Sequence, residues 1–311
     1  MSPMFAKNKF LVDVLVSNGA ELQQVNTDFC LDVRELESVF AAAPRLQVFN
    51  AKVGGSCTQL LPVLRNDPPY GPLRVNQLDV YSWLPEDAAD MLAVAAAVAA
   101  HESLERLALW NVKYSRGLNA LVDAAAERRV TWLSLTNCAT DAASFPALAR
   151  LLQRGSLTKL KFHNCPGFPH AQEESVPVLC AALHGCRALT HLALSLNPPN
   201  GATRRAVVDL LDVAATLPAL SMLNFGGSRV QDAAAFGRAL GELLGANLPN
   251  LHTLGLRDCQ LGDEGAAAVL DGLAANTHLR ELECGYNDLS VAFMRDRLRP
   301  ALAALEARAI A

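Results

Sequence analysis

The sequence predicts an α/β fold in one domain, a solenoid of about ten units in which a short parallel strand alternates with a helix. Three observations lead there. The phrase Leu-x-x-Leu-x-Leu-x-x-Asn/Cys recurs, most clearly as Val130-x-x-Leu133-x-Leu135-x-x-Cys138, Leu157-x-x-Leu160-x-Phe162-x-x-Cys165 and Leu189-x-x-Leu192-x-Leu194-x-x-Asn197. Leu251-x-x-Leu254-x-Leu256-x-x-Cys259 and Leu279-x-x-Leu282-x-Cys284-x-x-Asn287 keep the frame, and weaker copies start at Leu22, Leu46, Val75, Leu104 and Leu220. Successive starts are 24, 29, 29, 26, 27, 32, 31, 31 and 28 residues apart, a repeat period rather than chance. The segments between copies carry apolar residues at helical spacing.

Each copy supplies a strand. Side chains alternate along a strand, so the fourth and sixth positions point into the core and the third, fifth and seventh point away. One unit cannot bury its apolar face alone; stacked units bury a continuous one. A parallel strand needs a crossover, and the linkers supply it as helices. In 263–275, Ala266, Val269, Leu270 and Leu273 share a face, Asp263 is the expected N-cap and Asn276 the expected stop. Residues 141–153, 175–184, 203–216 and 232–245 read the same way. Ser290 is expected to cap a last helix that Pro300 kinks.

A period near 28 residues with a full helix per unit resembles the ribonuclease-inhibitor type of leucine-rich repeat. The resemblance runs from Leu22 to the C-terminus and is closest in LHTLGLRDCQLGDEGAAAVLDGLAANTHLRELECGYNDL, residues 251–289. It implies a horseshoe with strands on the concave face, helices on the convex face and a protein partner on the concave face or its rim. Thr27 and Ala51 depart from the apolar pattern, and those units resemble worn terminal repeats. A 311-residue chain often forms two domains, but the unbroken repeat argues for one. Its expected parts are an N-terminal cap over 1–21, repeats over 22–289 and a C-terminal cap helix over 290–311.

Composition narrows the function. Hydrophobic residues make up 51% of the chain, much of it alanine, which suits helices packed closely on a sheet. The net charge of −4 gives no global basic footprint for nucleic acid. No apolar run reaches membrane-spanning length, and no secretory leader is expected at the N-terminus. Of the eight cysteines, Cys30, Cys138, Cys165 and Cys259 fall on the ninth repeat position, where an inward Asn or Cys bonds loop backbone. Cys284 takes a core strand position and Cys180 a helix. The cysteines read as small buried groups in a reducing, cytoplasmic compartment. The Ala, Arg, Gly and Pro bias fits a GC-rich genome, and the expected setting is a bacterial effector delivered into a host cell, or a cytoplasmic scaffold.

Three clusters carry residue types suited to chemistry. Cys180, His184, Cys186 and His191 have ligand types suited to zinc, but the repeat frame puts His191 on a strand and Cys180 and His184 on a helix. His163 and Cys165 point to opposite faces, against a nucleophile–base pair. Gly226-Gly227-Ser228 lacks the lysine of a phosphate loop. No catalytic residue, cofactor or metal is expected.

The outward positions carry the candidate site. Tyr81 and Trp110 occupy the seventh position of adjacent units, about one 4.8 Å strand spacing apart. Arg106 and Trp132 are third-position neighbours, placed for a cation–π stack. Lys159, Lys161 and His163 form a basic patch, and Glu281 and Glu283 give the face a charge gradient. Exposed Trp, Tyr and Arg dominate interface energetics, so Tyr81, Arg106, Trp110, Trp132, Lys159, Lys161 and His163 are the expected partner-binding residues. The alternative is that the aromatics only pack on each other and the cations are solvated. Cys165-Pro-Gly-Phe-Pro-His and Asn197-Pro-Pro-Asn-Gly are rim insertions, expected either near a partner or as rigid turns.

The expected function is non-enzymatic recognition of a protein, with an acidic patch to meet the lysines. Two alternatives stay open. A GTPase-activating accessory role is found in similar repeat proteins, and would need a rim Arg or polar cluster to complete a partner's active site. RNA binding would stack bases on Trp110 and Trp132, with the negative net charge against it.

Overall fold

The computed structural model describes residues 3–31, 33–46, 48–55, 61–65, 67, 74–82, 88–112, 115–141, 143–165, 172–195 and 204–310. The rim segments after Cys165 and Ser195 lie outside the described residues, as do the side chains of Cys30 and Tyr81. Two compact units, Met1–Ala139 and Thr140–Ala311, are described in turn.

In Met1–Ala139 the order is α1 (Pro3–Ser17), β1 (Gln24–Leu31), α2 (Val33–Ala42), β2 (Val48–Gly55), α3 (Leu61–Leu64), β3 (Arg74–Ser82), α4 (Ala88–Ala100), β4 (Arg106–Trp110), α5 (Ser115–Arg128) and β5 (Trp132–Thr136). The strands pair in parallel in chain order. Register shifts interrupt β1 with β2 and β2 with β3, in the units where Thr27 and Ala51 depart from the pattern. From β3 to β5 the register follows the repeat frame, Gln77 to Arg106 to Trp132.

Thr140–Ala311 continues the alternation with α6 (Ser144–Gln153), β6 (Lys159–His163), α7 (Gln172–Leu183), β7 (His191–Leu194), α8 (Arg204–Thr216), β8 (Met222–Asn224), α9 (Ala233–Gly245), β9 (Thr253–Gly255), α10 (Gly262–Ala275) and β10 (Glu281–Glu283). β6 to β10 are parallel and unshifted. The chain ends in α11 (Val291–Phe293), a π turn (Met294–Leu298) and α12 (Arg299–Ile310). A π turn lies just before Pro300, where proline removes a backbone donor. Ser290 caps α11, its hydroxyl accepting from Phe293 N at 3.1 Å.

The core lies where the strand frame puts it. Leu107, Leu109, Leu133 and Leu135 in the first unit, and Leu160, Leu192, Leu223, Phe225, Leu254 and Leu256 in the second, are at most 1% exposed. Burial of each such side chain contributes about 1.5–3 kcal/mol. The helices close the other side, and α9 and α10 approach backbone to backbone: a Cβ on Gly272 would stand 2.1 Å from Gly241 O.

Two positions after several strands are built alike. The ninth side chain donates to the sixth-position carbonyl of the preceding repeat: Cys138 to Leu109 O at 3.3 Å, Ser228 to Leu194 O at 3.2 Å, Cys259 to Phe225 O at 3.2 Å and Asn287 to Leu256 O at 2.7 Å. Each gives a carbonyl near the strand end a side-chain donor. The eighth residue is left-handed at Asn111, Asn137, Asn164, Gly227, Asp258 and Tyr286. Asn, Asp and Gly tolerate that backbone; a bulky Tyr rarely adopts it.

One expected cap is corrected. α10 starts at Gly262 rather than behind Asp263, and the Asp263 carboxylate instead accepts from Ser290 N at 2.8 Å. Asn276 does end α10, buried, with its amide donating to Leu244 O at 2.9 Å and its carbonyl accepting from Leu279 N at 2.7 Å.

Candidate functional site

Two stretches of outward-facing strand carry the candidate residues, one in each unit. Tyr81, Arg106, Trp110 and Trp132 belong to Met1–Ala139; Lys159, Lys161 and His163 belong to Thr140–Ala311.

In the first unit the register makes three rows across β3, β4 and β5. They are Gln77–Arg106–Trp132, Asp79–Ala108–Ser134 and Tyr81–Trp110–Thr136. The Arg106 guanidinium sits 3.8 Å from the Trp132 ring centroid, the stack that their register allows. Arg106 is exposed and Trp132 half-buried. Trp110 is half-buried with its indole nitrogen shielded from solvent, so part of that ring serves packing. The middle row corrects the sequence reading: Asp79, Ala108 and Ser134 are buried although they point outward. Small side chains at one strand spacing lie below the rims of the larger rows beside them. Gln77 Nε2 donates to the Asp79 carboxylate at 3.3 Å across that boundary.

In the second unit the same positions form a depression of about 300 Å³. Its floor is Ala193, Asn224 and Gly226; Lys161 and His163 bound it on β6, and Glu283 on β10. Small residues open it. A Cβ on Gly226 would stand 2.9 Å from Asn224 Oδ1, and one on Gly227, already left-handed, 3.2 Å from Ser195 Oγ. The side chains of the floor are oriented: Gly226 N donates to Asn224 Oδ1 at 2.6 Å and Ser195 Oγ donates to Gly227 O at 3.2 Å. Arg257 lines the depression and places its guanidinium 4.7 Å from the Tyr286 ring centroid.

Electrostatics revise the basic patch. Burial first, then the Lys161 charge, lowers the His163 pKa below its ordinary 6.5, so the ring is mostly neutral at pH 7. His191 shifts down in the same way, from burial and Lys159. The positive charge of β6 is therefore carried by its two lysines.

The sets with catalytic or metal-binding residue types separate. Cys186 Sγ lies 3.4 Å from Ala182 O, the exposed His184 meets Thr216 Oγ1 at 3.2 Å, and His191 Nδ1 meets Thr190 Oγ1 at 2.8 Å. Burial pushes the Cys186 thiol up to about 11. Burial, reinforced by Asp209 and Asp212, does the same for Cys180. Cys165 Sγ turns in toward His163 O at 3.5 Å while the imidazole faces the depression. Among the described residues no group of His, Cys, Asp and Glu has the proximity to hold a metal ion, and no helix is long and apolar enough to cross a membrane.

Glu283 belongs to the charge gradient expected from the sequence; Arg257 and Asn224 were legible as outward residues of the frame, but nothing in a single copy marks them as part of a depression. Asp258 was missed outright. Its signal is the eighth position, where Asn, Asp or Gly marks a left-handed turn at the rim.

Comparisons with known proteins bear on the fold. The family model described as Leucine Rich repeat matches residues 247–270. A human protein, "NACHT, LRR and PYD domains-containing protein 13", is 31% identical over 177 residues, which is 54% of this chain and 16% of the relative. The chain therefore spans a small part of that relative's length. Among solved structures, a chain of the yeast Rad7–Elc1 complex superposes with TM-score 0.53 at 14% identity, over 92% of this chain and 78% of that one. A Bacteroides fragilis protein aligns with TM-score 0.48 at 17% identity, over 78% of this chain and 67% of that one. With the repeat phrase, the strand register and the inward leucines already in place, the chain has a leucine-rich-repeat fold.

Proposed function

We propose that this chain is a non-enzymatic recognition module that binds a protein through the outward faces of its strands. The observation that carries the reading is the Arg106–Trp132 stack, a cation held 3.8 Å over a half-exposed indole on a rigid strand. Tyr81 and Trp110 belong to the same face, in register on β3 and β4. Such groups bury large area at little entropic cost and are typical energetic anchors of interfaces. Lys159 and Lys161 on β6 add positive charge suited to an acidic partner patch, setting orientation more than affinity. The yeast Rad7–Elc1 structure is itself a complex of two proteins, which accords with a binding role for this fold.

The test is retention of partners from lysates by the wild-type chain and by a Trp110→Ala/Trp132→Ala variant, after both are shown to fold. A protein retained by wild type and lost by the variant supports the reading. Equal retention by both, or none by either, contradicts it.

A further inference from the structure

The ion pairs Arg45–Glu21, Arg238–Glu264 and Arg297–Asp271 lie off the strands. Lys159, Lys161, Arg257, Glu281 and Glu283, all at outward strand-frame positions of Thr140–Ala311, enter none of them. Their arrangement is polar. The lysines stand on β6 and the glutamates on β10; the row between Lys161 and Glu283 holds only Ala193, Asn224 and Gly255, and Arg257, which also lines the depression, has its guanidinium over the Tyr286 ring. Lys161 and Glu283 line the same depression. Four strand steps separate them, roughly 19 Å at ~4.8 Å each.

The shape selects among occupants. A helix is about 10 Å across with its side chains, too thick for a depression of about 300 Å³ that runs this distance. An extended chain is slender, and about six residues of it cover 19 Å. The floor reads peptide backbone: Asn224 spends its Oδ1 on Gly226 N, which leaves its amide N–H groups to donate to a peptide carbonyl. The neutral His163 ring adds a hydrogen-bonding group without another charge.

We infer that this depression takes an extended segment of the partner protein, with a carboxylate side chain on the Lys159/Lys161 end and a basic side chain about six residues away on the Glu281/Glu283 end. The inference deepens the protein-recognition reading and rests on it. It gives the face a direction, because a segment with the reverse charge order meets like charges at both ends.

The test is selection of short random peptides on the full chain, repeated on a charge-swapped variant carrying Lys159→Glu, Lys161→Glu, Glu281→Lys and Glu283→Lys. Wild type is expected to enrich peptides with Asp or Glu and Lys or Arg about six residues apart. The swapped chain is expected to enrich the opposite order, and to bind the wild-type peptides at least about tenfold more weakly at low salt. The bound peptide should shift the amide resonances of Gly226 and Gly227, and Ala193→Trp, which fills the floor, should abolish binding. That variant is the control if the swapped chain does not fold.

Peptides without the charge pair, equal binding to both chains, shifts that spare the two glycines, or no enrichment would each overturn the inference. A partner protein lost by the Trp110→Ala/Trp132→Ala variant but kept by the swapped chain would leave protein recognition standing and sink the charge code alone.

Discussion

The strand face of Met1–Ala139 and that of Thr140–Ala311 use one frame to make two different surfaces. In the first unit the third and seventh positions hold Arg106, Trp132 and Trp110, and the row between them, Asp79–Ala108–Ser134, is buried. In the second, Ala193, Gly226 and Gly227 line an open depression, with Lys161 on β6, Glu283 on β10 and Arg257 between them. The inward side barely changes: Leu133 and Leu254 are both 0% exposed. A repeat fold thus separates two tasks. Fourth and sixth positions hold the units together, and the size of the residues at the outward positions decides whether the face is an aromatic ridge or a depression.

The largest expected effect tests the shared half of that comparison. Leu133→Ala and Leu254→Ala should each cost about 2–5 kcal/mol, and by similar amounts, because both leave a cavity in the same kind of core. Urea denaturation of the two variants checks it; a cost below about 1 kcal/mol at either site would mean that its unit relaxes around the cavity. Asn287→Ala comes next. It removes the bond to Leu256 O and strands Cys259 N, so a loss of about 2–3 kcal/mol is expected from the buried groups left unpaired.

The two tryptophans sharpen the contrast within the first unit. Trp110→Ala should lower the melting temperature more than Trp132→Ala, since its indole nitrogen is shielded. Trp132→Ala should cost the larger share of binding, about 2 kcal/mol or more at an interface anchor. Calorimetric melting and a binding isotherm on both variants separate the two effects. In the second unit Gly227→Ala should cost about 1 kcal/mol, because its φ of 75° suits glycine and a Cβ would meet Ser195.

The smallest effect is pH dependence. Burial holds the His101 pKa below its ordinary 6.5. The unfolded chain therefore takes up that proton first, so the contribution of the neutral ring is complete above pH 6.5 and declines as pH falls through 6.5 toward the folded value. His101→Gln should flatten the fall in stability between pH 8 and pH 5.5, measured by urea midpoints; an unchanged slope would show that the histidine does not contribute.

What was readable in the sequence follows from what a local pattern encodes. Alternation along a strand is local, so the inward leucines, the third-position neighbours Arg106 and Trp132, and the cap at Ser290 were legible. Features set by several units at once were not. Burial of Asp79, Ala108 and Ser134 depends on the larger rows on either side. The depression exists because small residues at Ala193, Gly226 and Gly227 coincide in adjacent repeats, which no single copy announces. His163 counts with the lysines in a reading of the sequence, and burial beside Lys161 lowers its pKa below the ordinary value. Asp263 has the composition of an N-cap, yet a backbone amide 27 positions later in sequence takes its carboxylate.

The central claim is that the exposed strand face binds a protein through groups the fold itself does not need. The measurement that tests it most directly pairs two numbers for Trp132→Ala: its melting temperature and its affinity for a partner retained by the wild-type chain. The account predicts a melting temperature within a few degrees of wild type and an affinity reduced by about 30-fold or more. A sharp fall in melting temperature with affinity unchanged would assign the Arg106–Trp132 stack to packing and contradict it.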